Sequence, residues 1–232
     1  MNSYISLDLE TTGLSPKLDK IIEIGAVKVI DGCVTDRFSS FVNPGRTLSE
    51  HVISLTGISE DDLLGAPDAK EIIPSLIDFC EELPLLGHRI LFDYSFVKHE
   101  AVNLGIPFEK SGIDTLKISR ACLPELPGKR LTDMCKYYDI PLVAHRAYND
   151  AEATSLLFTA LKKDFEDKSP KSFEPETLIF KIKRESPIRK QQKEKLEALI
   201  ARYKINCPYD LSKLTRNEAS RYYDQIVAKY GK

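Results

Sequence analysis

The sequence predicts an α/β domain followed by a small helical module, and three observations support this prediction. Residues 4–9 alternate apolar and polar side chains, and residues 21–30 are rich in β-branched residues, so strands dominate the start of the chain. From residue 68 onwards, apolar residues at helical spacing alternate with short apolar runs, which predicts helices between further short strands. Residues 188–232 carry helical patterns.

The first three predicted strands are close together in the sequence. The run 21–30 is followed by residues 31–33, "DGC", in which aspartate and glycine indicate a turn. A third strand is predicted over residues 36–42. Because short connections join these strands, we expect them to form an antiparallel meander.

Helices and short strands alternate over the rest of the main body. Short apolar or turn-bounded runs predict strands at 83–87 and 112–115. Apolar residues at helical spacing predict helices over 68–82, 93–105, 115–122, 130–138 and 149–164. In the last of these helices, Asn149 is the expected N-cap, and Glu152 completes a capping box three residues later.

Composition divides the chain into a main domain over 1–165, a linker over 166–187 and a basic helical module over 188–232. The linker contains three prolines, although the alternation in residues 178–183 predicts an additional edge strand. The module ends with a helix for which Thr215 is the expected N-cap. We therefore expect one full domain with a small appendage.

The composition is that of an ordinary globular protein, with 42% hydrophobic and 29% charged residues. No apolar run approaches the roughly 20 residues that span a membrane, and we expect no signal peptide. The five cysteines form no CxxC motif, which favours reduced, mostly buried thiols over a disulfide framework or a zinc site. We therefore expect a cytoplasmic protein without membrane contact.

The formal net charge of −2 is unevenly distributed. Residues 1–165 hold 17 Lys and Arg against 25 Asp and Glu, which gives −8, whereas residues 186–232 hold 11 against 5, which gives +6. An acidic body with a basic tail is typical of a protein that handles a polyanion. Two solvated faces would give the same charge distribution without any partner.

Two acidic residues, Asp8 and Glu10, stand two positions apart on the first predicted strand. Side chains at this spacing point to the same side of a strand, so the two carboxylates lie next to each other. The residues Thr11–Gly13 then end the strand, and strand ends are where sites tend to be built. An exposed strand face would explain the same pair without a function.

Asp93, Asp150 and His145 complete a set with these two acids. Asp93 and Asp150 lie near the predicted starts of helices, where ordinary capping would also explain them. His145 precedes Asp150 by five residues. If all five side chains converge, the four carboxylates cannot all remain ionised without cations. Their hard oxygen donors favour Mg²⁺ or Mn²⁺ over zinc.

Such a convergence predicts a specific chemistry. Two divalent ions about 3.5–4 Å apart would balance the charge and form the clamp that supports in-line displacement at phosphorus. Histidine, with an unperturbed pKa of about 6.5, is the side chain best suited to accept the proton of the attacking water at physiological pH. The five residues therefore predict metal-dependent hydrolysis of a phosphate ester.

Four segments closely resemble, in order, the successive motifs of the DEDDh 3′–5′ exonucleases: "SLDLETTG", "GHRILFD", "IDTLKISR" and "HRAYNDAEATSLLF". The similarity covers about residues 3–163, and the branch that it resembles most contains the proofreading exonuclease of bacterial replicative DNA polymerases. It implies a ribonuclease H-like fold, with a mixed five-stranded sheet and helices on both faces. The tail is expected as a small C-terminal helical appendage to this fold.

The resemblance also assigns roles to residues. Two Mg²⁺ ions would be bound by Asp8, Glu10, Asp93 and Asp150, and Mn²⁺ could substitute for Mg²⁺. His145 would be the general base. The histidine distinguishes the DEDDh group from the DEDDy group, which has tyrosine at this position. The implied reaction releases nucleoside 5′-monophosphates from the 3′ end of a strand.

Motif position also indicates which residues contact the terminal nucleotides. These residues are Thr11, Thr12, Leu14, Thr56, Gly57, Ile58, His88 and Phe92. Apolar and aromatic side chains there would stack on bases, although core packing explains Leu14 and Phe92 equally well. The second motif of the family commonly reads Gly-His-Asn, whereas this chain has Arg89, either as a tolerated substitution or as a changed contact with the substrate backbone.

Three functions stay open at this point. The first is a metal-dependent 3′–5′ exonuclease that acts on DNA, with a DNA polymerase or another replication or repair protein as its expected partner. The second is an exoribonuclease with the same chemistry, and the third is a non-catalytic module that binds nucleic acid. The complete set of acids with its histidine favours an enzyme, and DNA is the favoured substrate.

Overall fold

The computed structural model describes residues 2–207 and 209–231. In chain order, its elements are β1 (Tyr4–Thr11), β2 (Ile21–Ile30), β3 (Cys33–Phe41), α1 (Glu50–Thr56), α2 (Ala69–Cys80), β4 (Leu85–Gly87), α3 (Leu91–Leu104), β5 (Ser111–Asp114), α4 (Thr115–Cys122), α5 (Leu131–Tyr137), α6 (Ala147–Phe165), β6 (Glu176–Thr177), α7 (Lys190–Tyr203) and α8 (Arg216–Tyr230). Short 3₁₀ helices cover Pro170–Phe173 and Leu211–Lys213. Most of these elements lie where the sequence predicts them.

The elements group into two compact units. The first unit holds the residues up to Pro44 together with Leu48–Ile182, and the second holds Gly45–Thr47 and the residues from Lys183 onwards. The first unit contains all six strands and helices α1–α6, and the second contains α7 and α8. The division of the chain at residues 165 and 187 stays a prediction.

The six strands form one mixed sheet with the order β3-β2-β1-β4-β5-β6. The first three strands are antiparallel, as the predicted meander requires, while β1, β4 and β5 run parallel to one another. The two-residue strand β6 adds an antiparallel edge to the five expected strands. The predicted mixed sheet is therefore confirmed, with one short strand more than expected.

Helices cover both faces of this sheet. On one face, Ile5 and Leu7 of β1 pack in a cluster that includes Ile73 of α2 and Val97 of α3. On the other face, a second cluster joins β2 and β4 to α6, with Val27, Leu86, Leu157 and Phe158 among its members. Ile5, Leu7 and Leu9 of β1 belong to the first cluster and Tyr4 to the second, because successive side chains of a strand point to opposite faces.

The edge strand predicted at 178–183 is wrong, because the strand covers Glu176–Thr177 instead. Beyond it, the N–H of Leu178 donates to the backbone oxygen of Lys110 at 2.9 Å, and no further ladder follows within the residues that the structure describes. Leu178 and Phe180 of this segment pack against the core, whereas Ile179 between them is exposed. Burial of these side chains, and not strand pairing, explains the alternation.

The predicted start of α6 is also wrong. The helix begins at Ala147, with Arg146 as its N-cap, and Asn149 instead donates from its side chain to the backbone oxygen of Val143 at 3.2 Å. The first N–H of the helix is satisfied by Glu23 of β2, whose carboxylate accepts from Ala147 N at 3.0 Å. A distant strand thus replaces the local capping box.

The second unit has a small core of its own. Leu196 of α7 packs with Leu214, Ala219 and Ile226 around α8. Thr215 forms the predicted capping box, because its side chain accepts from the N–H of Glu218 and the Glu218 carboxylate accepts from the N–H of Thr215. In residues 2–207 and 209–231, no helix combines the length and the apolar character needed to cross a bilayer.

Candidate active site

Tyr4, Ser6 and Asp8 share the face of β1 that is turned towards α6, and the site lies at the end of this row. Tyr4 Oη lies 3.0 Å from Ser155 Oγ of α6, and Ser6 Oγ donates to the backbone oxygen of Ala151, one turn nearer to the start of the helix, at 2.6 Å. Asp8 is the next residue on this face because side chains alternate along a strand. Asp8 therefore points towards the first turn of α6, where the charge of Asp150 is close enough to raise its pKa.

Asp93 approaches the same strand from α3. It lies in the first turn of that helix, is 4% exposed, and accepts a hydrogen bond from the N–H of Leu9 at 3.1 Å. Leu9 stands between Asp8 and Glu10, so this bond fixes the Asp93 carboxylate against the strand that carries both acids. Helix α3 follows β4, the parallel neighbour of β1, and parallel strands end at the same edge of a sheet.

Asp150 and His145 close the site from the start of α6. The N–H of His145 donates to Asp150 Oδ2 at 2.9 Å, and His145 adopts the left-handed conformation with φ of 65°. Ligand atoms from Glu10, His145 and Asp150 all lie within 4.8 Å of one another. The His145 side chain is on an exposed residue, whereas Asp150 is buried. The fold therefore brings the five predicted residues to the C-terminal end of β1.

Burial, together with neighbouring carboxylates, raises the pKa values of the acidic side chains in the site. Burial, followed by the charges of Asp150 and Glu23, raises the pKa of Glu10 to about 7. Burial raises the pKa of Asp150 to about 6, although the hydrogen bond from His145 opposes this rise. Burial also raises the pKa of Asp8 well above its usual range, and the Asp93 charge adds to this effect. Without a cation, this site holds protons close to neutral pH.

This donor set fits a divalent cation. The four carboxyl groups offer hard oxygen ligands, and the proximity of Glu10 to Asp150 allows both to reach one ion. Repulsion between the carboxylates favours any bound positive charge, so a cation competes with the protons that these groups otherwise hold. Oxygen-rich sites of this kind suit Mg²⁺ or Mn²⁺.

Metal binding is expected to depend on pH. Because the pKa values of Glu10 and Asp150 are higher in the folded than in the unfolded chain, the metal-free protein should lose stability as pH rises from about 4 to about 7. A cation displaces these protons, so the increase in Tm caused by MnCl₂ should be larger at about pH 8 than at about pH 5.5. Thermal unfolding with EDTA or MnCl₂ measures this, and an increase in Tm that does not change with pH would contradict it.

A fifth acid next to the site, Glu23, was not singled out in the sequence. Glu23 lies opposite Glu10 in the β1–β2 ladder and is 2% exposed. Its carboxylate accepts from Arg146 Nη2 at 2.9 Å and from Ala147 N at 3.0 Å. These partners hold the start of α6, and with it His145, against β2. The sequence did contain a signal for Glu23, because it is a charged residue within the otherwise apolar first half of β2.

Replacing Glu23 by glutamine is expected to lower kcat on single-stranded DNA by about 10–100-fold with little change in KM. Glutamine still accepts a hydrogen bond from Ala147 N but loses the ion pair with Arg146, so the segment that carries His145 is held less firmly. Steady-state kinetics measure this effect, with Glu125→Gln at an exposed position as the control. An unchanged kcat in Glu23→Gln would show that the ion pair does not position the site.

The predicted nucleotide contacts Leu14 and Phe92 line one cavity. Leu14, in the loop after β1, is 82% exposed, and Phe92 is half-buried with its ring centroid 5.1 Å from that of Phe96. Core packing therefore accounts for part of Phe92 but not for Leu14. Both side chains keep surface that a nucleotide can reach.

Thr11 and Thr12 shape the loop that follows β1. Thr11 Oγ1 donates to the backbone oxygen of Gly13 at 2.6 Å, and Thr12 Oγ1 accepts from the N–H of Lys20 at 2.9 Å. Both hydroxyl groups thus have partners within the loop. Their contact with a nucleotide stays a prediction.

Thr56, Gly57 and Ile58 lie at the end of α1. Thr56 Oγ1 donates to the backbone oxygen of Val52 at 2.9 Å, and the Ile58 side chain is 2% exposed. Gly57 is the exposed C-cap, with φ of 69°. The backbone around Gly57 is therefore the part of this segment that a nucleic-acid strand can reach. The predicted contacts of the Thr56 and Ile58 side chains with a nucleotide stay predictions.

His88 is held inside the domain. Its Nδ1 lies 2.9 Å from Thr115 Oγ1 and its Nε2 lies 2.7 Å from the backbone oxygen of Lys129. Burial lowers the pKa of this imidazole. With both nitrogens engaged, His88 joins β4 to α4 and to the loop before α5, while its predicted contact with a nucleotide stays a prediction.

Arg89 stands where the family commonly has asparagine. Its φ is 81°, in the left-handed region that asparagine tolerates better than most residues with a side chain. Its N–H donates to Asp114 Oδ1 at 3.0 Å, and its side chain is exposed. The backbone geometry explains the preference for asparagine, and Arg89 lines the same cavity as Leu14.

Comparison with known proteins agrees with this geometry. The family model RNase_T, described as Exonuclease, matches residues 5–158. The PolC-type DNA polymerase III of Bacillus subtilis strain 168 is 41% identical over 170 residues, which cover 72% of this chain and 12% of that protein. The PolC-type DNA polymerase III of Caldanaerobacter subterraneus subsp. tengcongensis is 36% identical over 170 residues, again 12% of its length. The chain thus spans about one eighth of the length of these relatives.

Solved structures share the fold. Exonuclease X in complex with 5′ overhanging duplex DNA superposes with a TM-score of 0.56 at 24% identity, over 70% of this chain and 92% of that chain. E. coli exonuclease I in complex with a dT13 oligonucleotide gives a TM-score of 0.62 at 21% identity, over 75% and 43% of the two chains. The expected ribonuclease H-like architecture is confirmed. The family model matches well over half of the length of this chain, and the chain therefore belongs to the exonuclease family RNase_T.

Proposed function

We propose that this chain is a metal-dependent 3′–5′ exonuclease that hydrolyses the terminal phosphodiester bond of DNA and releases nucleoside 5′-monophosphates. The convergence of Asp8, Glu10, Asp93 and Asp150 with His145 at the end of β1 carries this proposal. The similarity to the PolC-type DNA polymerase III of two bacteria supports DNA as the substrate.

Asp8, Glu10, Asp93 and Asp150 would hold two divalent cations, Mg²⁺ or Mn²⁺. When bound, such a pair supplies charge stabilisation and lowers the pKa of the attacking water. A solved structure described as the zinc-bound form of an E. coli exonuclease I complex with single-stranded DNA also aligns with this chain. The hard oxygen ligands here favour magnesium or manganese over zinc.

The chain's own residues provide the remaining chemistry. His145 is exposed, and its backbone is fixed by the bond to Asp150, so its imidazole can accept a proton from a water that approaches the site. Asp93 is fixed by Leu9 N, and Glu23 holds the start of α6. These bonds set the side chains before substrate binds, which reduces the reorganisation needed for reaction.

The partners and location follow as proposals from the same similarity. A DNA strand with a 3′ end is the proposed ligand, and a DNA polymerase or another replication or repair protein is the proposed partner. The proposed location is the cytoplasm, where such partners act. The lysines of the second unit, such as Lys190, Lys193 and Lys195 on α7, would add attraction for phosphates.

The decisive test is hydrolysis of matched single strands. The purified full chain with MgCl₂ should release 5′-mononucleotides from the 3′ end of a DNA oligonucleotide, as measured by chromatography of the products. An RNA oligonucleotide of the same sequence tests the second candidate, an exoribonuclease. If the RNA is degraded faster than the DNA, RNA is the substrate and the DNA proposal is wrong. If both oligonucleotides stay intact, the proposed activity is overturned.

A further inference from the structure

The helices of the second unit, α7 and α8, lie beyond residue 158, where the match to the family model ends. They have a core of their own, in which Leu196, Leu214, Ala219 and Ile226 are buried. The chemistry shared with the family therefore gives no reason for the side chains that these two helices expose to water.

This part of the chain is strongly basic. Residues 183–232 hold 13 Lys and Arg against 6 Asp and Glu, which gives a formal charge of +7. Two of the acids, Glu194 and Glu197, already pair with Lys190 and Lys193 on α7, with N–O distances of 3.9 Å. The other residues of the segment still hold 11 cations against 4 acids. Such an excess of positive charge attracts a polyanion.

Helices α7 and α8 run side by side in the same direction. Near their starts, Gln192 Nε2 donates to Ser220 Oγ at 3.1 Å and to the backbone oxygen of Arg216 at 3.2 Å. Near their ends, the rings of Tyr203 and Tyr230 stack, with their centroids 5.6 Å apart and their planes at 22°. The two helices are therefore joined at both ends.

One side of α8 exposes apolar surface along this helix pair. Tyr223, Val227 and Tyr230 are 37%, 40% and 38% exposed. Their spacing of four and three residues places them in one row on the helix. The buried residues Ala219 and Ile226 lie beside this row, so the apolar side of the helix continues from the core into the solvent. An exposed apolar row of this kind indicates a binding surface.

Cations lie directly on the aromatic rings at the end of this row. Lys229 Nζ is 5.3 Å from the ring centroid of Tyr230, and Arg202 Cζ is 5.3 Å from that of Tyr203. Both distances are within the range of about 6 Å for a cation–π contact. Rings that offer flat apolar surface thus stand next to groups that attract phosphate, which is the combination that binds unpaired nucleotides.

We propose that the tyrosine face, which comprises Tyr223, Val227 and Tyr230 with Arg202 and Lys229, binds single-stranded nucleic acid. This inference goes beyond the proposed exonuclease function, because the face would hold a strand without cutting it and without a metal ion. The phosphates would contact the cations and the unpaired bases would contact the tyrosines. A duplex keeps its bases stacked inside, so it would use the charges alone. An apolar partner protein would leave the cations unpaired, which is unfavourable.

The test is the binding of labelled 15-nucleotide strands to the full chain in EDTA, measured by fluorescence anisotropy. Tyr223→Ser should raise Kd for a single strand about threefold to tenfold, because it removes a stacking surface. Kd for a duplex of the same length should change by less than about twofold. Tyr137→Ser is the matched control, because Tyr137 is a 51% exposed tyrosine on α5 of the first unit.

Two further variants separate stacking, charge and damage to the fold. Tyr223→Trp should return Kd for the single strand to the wild-type value or below it, which a disturbed fold would not do. Lys229→Gln should weaken the binding of single strand and duplex alike. It should also reduce the slope of log Kd against log salt concentration by about 0.7 for the single strand, which corresponds to one lost phosphate contact.

The outcomes decide the inference independently of the exonuclease proposal, since the measurement requires no turnover. An inactive chain that loses affinity in Tyr223→Ser would support the tyrosine face while the exonuclease proposal fails. Parallel strands of DNA and RNA identify the ligand as the one whose Kd rises in this variant. Equal Kd values for wild type and Tyr223→Ser on both strands would overturn the inference and leave a protein partner as the occupant. A wild-type chain that binds neither strand would overturn it as well.

Discussion

Asp8→Asn is expected to abolish nuclease activity and, at the same time, to stabilise the metal-free protein. Burial and the charges of Asp93, Asp150 and Glu10 raise the pKa of Asp8. The ionised form of this carboxyl group therefore destabilises the metal-free fold. Asparagine has nearly the same shape but carries no charge. In EDTA we expect a higher Tm, by about 2–4 °C for each kcal/mol of repulsion removed.

The loss of activity in Asp8→Asn has a separate cause. Without the charge of Asp8, the site holds a divalent cation more weakly, so we expect at least about a 10³-fold loss of kcat/KM on single-stranded DNA and a smaller increase in Tm with MnCl₂. Glu125→Gln is the control, because it removes one charge from an exposed position. A variant that is less stable in EDTA, or that keeps its activity, would contradict the crowded-carboxylate description of the site.

His145→Gly should lower kcat by about 10²–10⁴-fold while the increase in Tm with MnCl₂ is largely kept. The carboxylates remain, so cation binding needs no imidazole, but no side chain accepts the proton of the attacking water. Glycine is the right replacement because His145 has a φ of 65°, which glycine adopts without strain. Structural damage is therefore small.

Rescue by free imidazole makes the role of His145 testable. The side chain is on an exposed residue, so imidazole from the buffer can enter the space that glycine leaves. We expect kcat of His145→Gly to rise with imidazole concentration, and His145→Asn, which tolerates the same φ but fills part of the space, to show no rescue. An active His145→Gly without imidazole would show that another group accepts the proton.

The two predictions separate metal binding from proton transfer. Asp8→Asn should lose activity together with the response of Tm to MnCl₂, whereas His145→Gly should lose activity alone. Glu23→Gln differs from both, because Glu23 contacts neither a cation nor the attacking water in the proposed mechanism. It acts through Arg146 and Ala147, so its effect on kcat should be the smallest of the three.

Local patterns in the sequence were sufficient for much of the fold. The period-two alternation of β1 puts Asp8 and Glu10 on one side, and this side faces α6 as the contacts of Tyr4 and Ser6 show. The capping box of Thr215 depends only on residues three apart, so it was predictable without the fold. Helix α1, by contrast, was not predicted, because Val52 is its only buried apolar residue and its sequence shows no apolar stripe.

The sequence by itself determined which acids share a strand face and which residue types can hold hard cations, and its resemblance to a known exonuclease family implied a mixed sheet with helices on both faces. Only the tertiary structure decided that α6 begins at Ala147, that both nitrogens of His88 are engaged, and that Glu23 stands behind the site. The physical reason is that periodicity and capping act over a few residues, whereas these three features depend on hydrogen bonds between residues at least 27 positions apart.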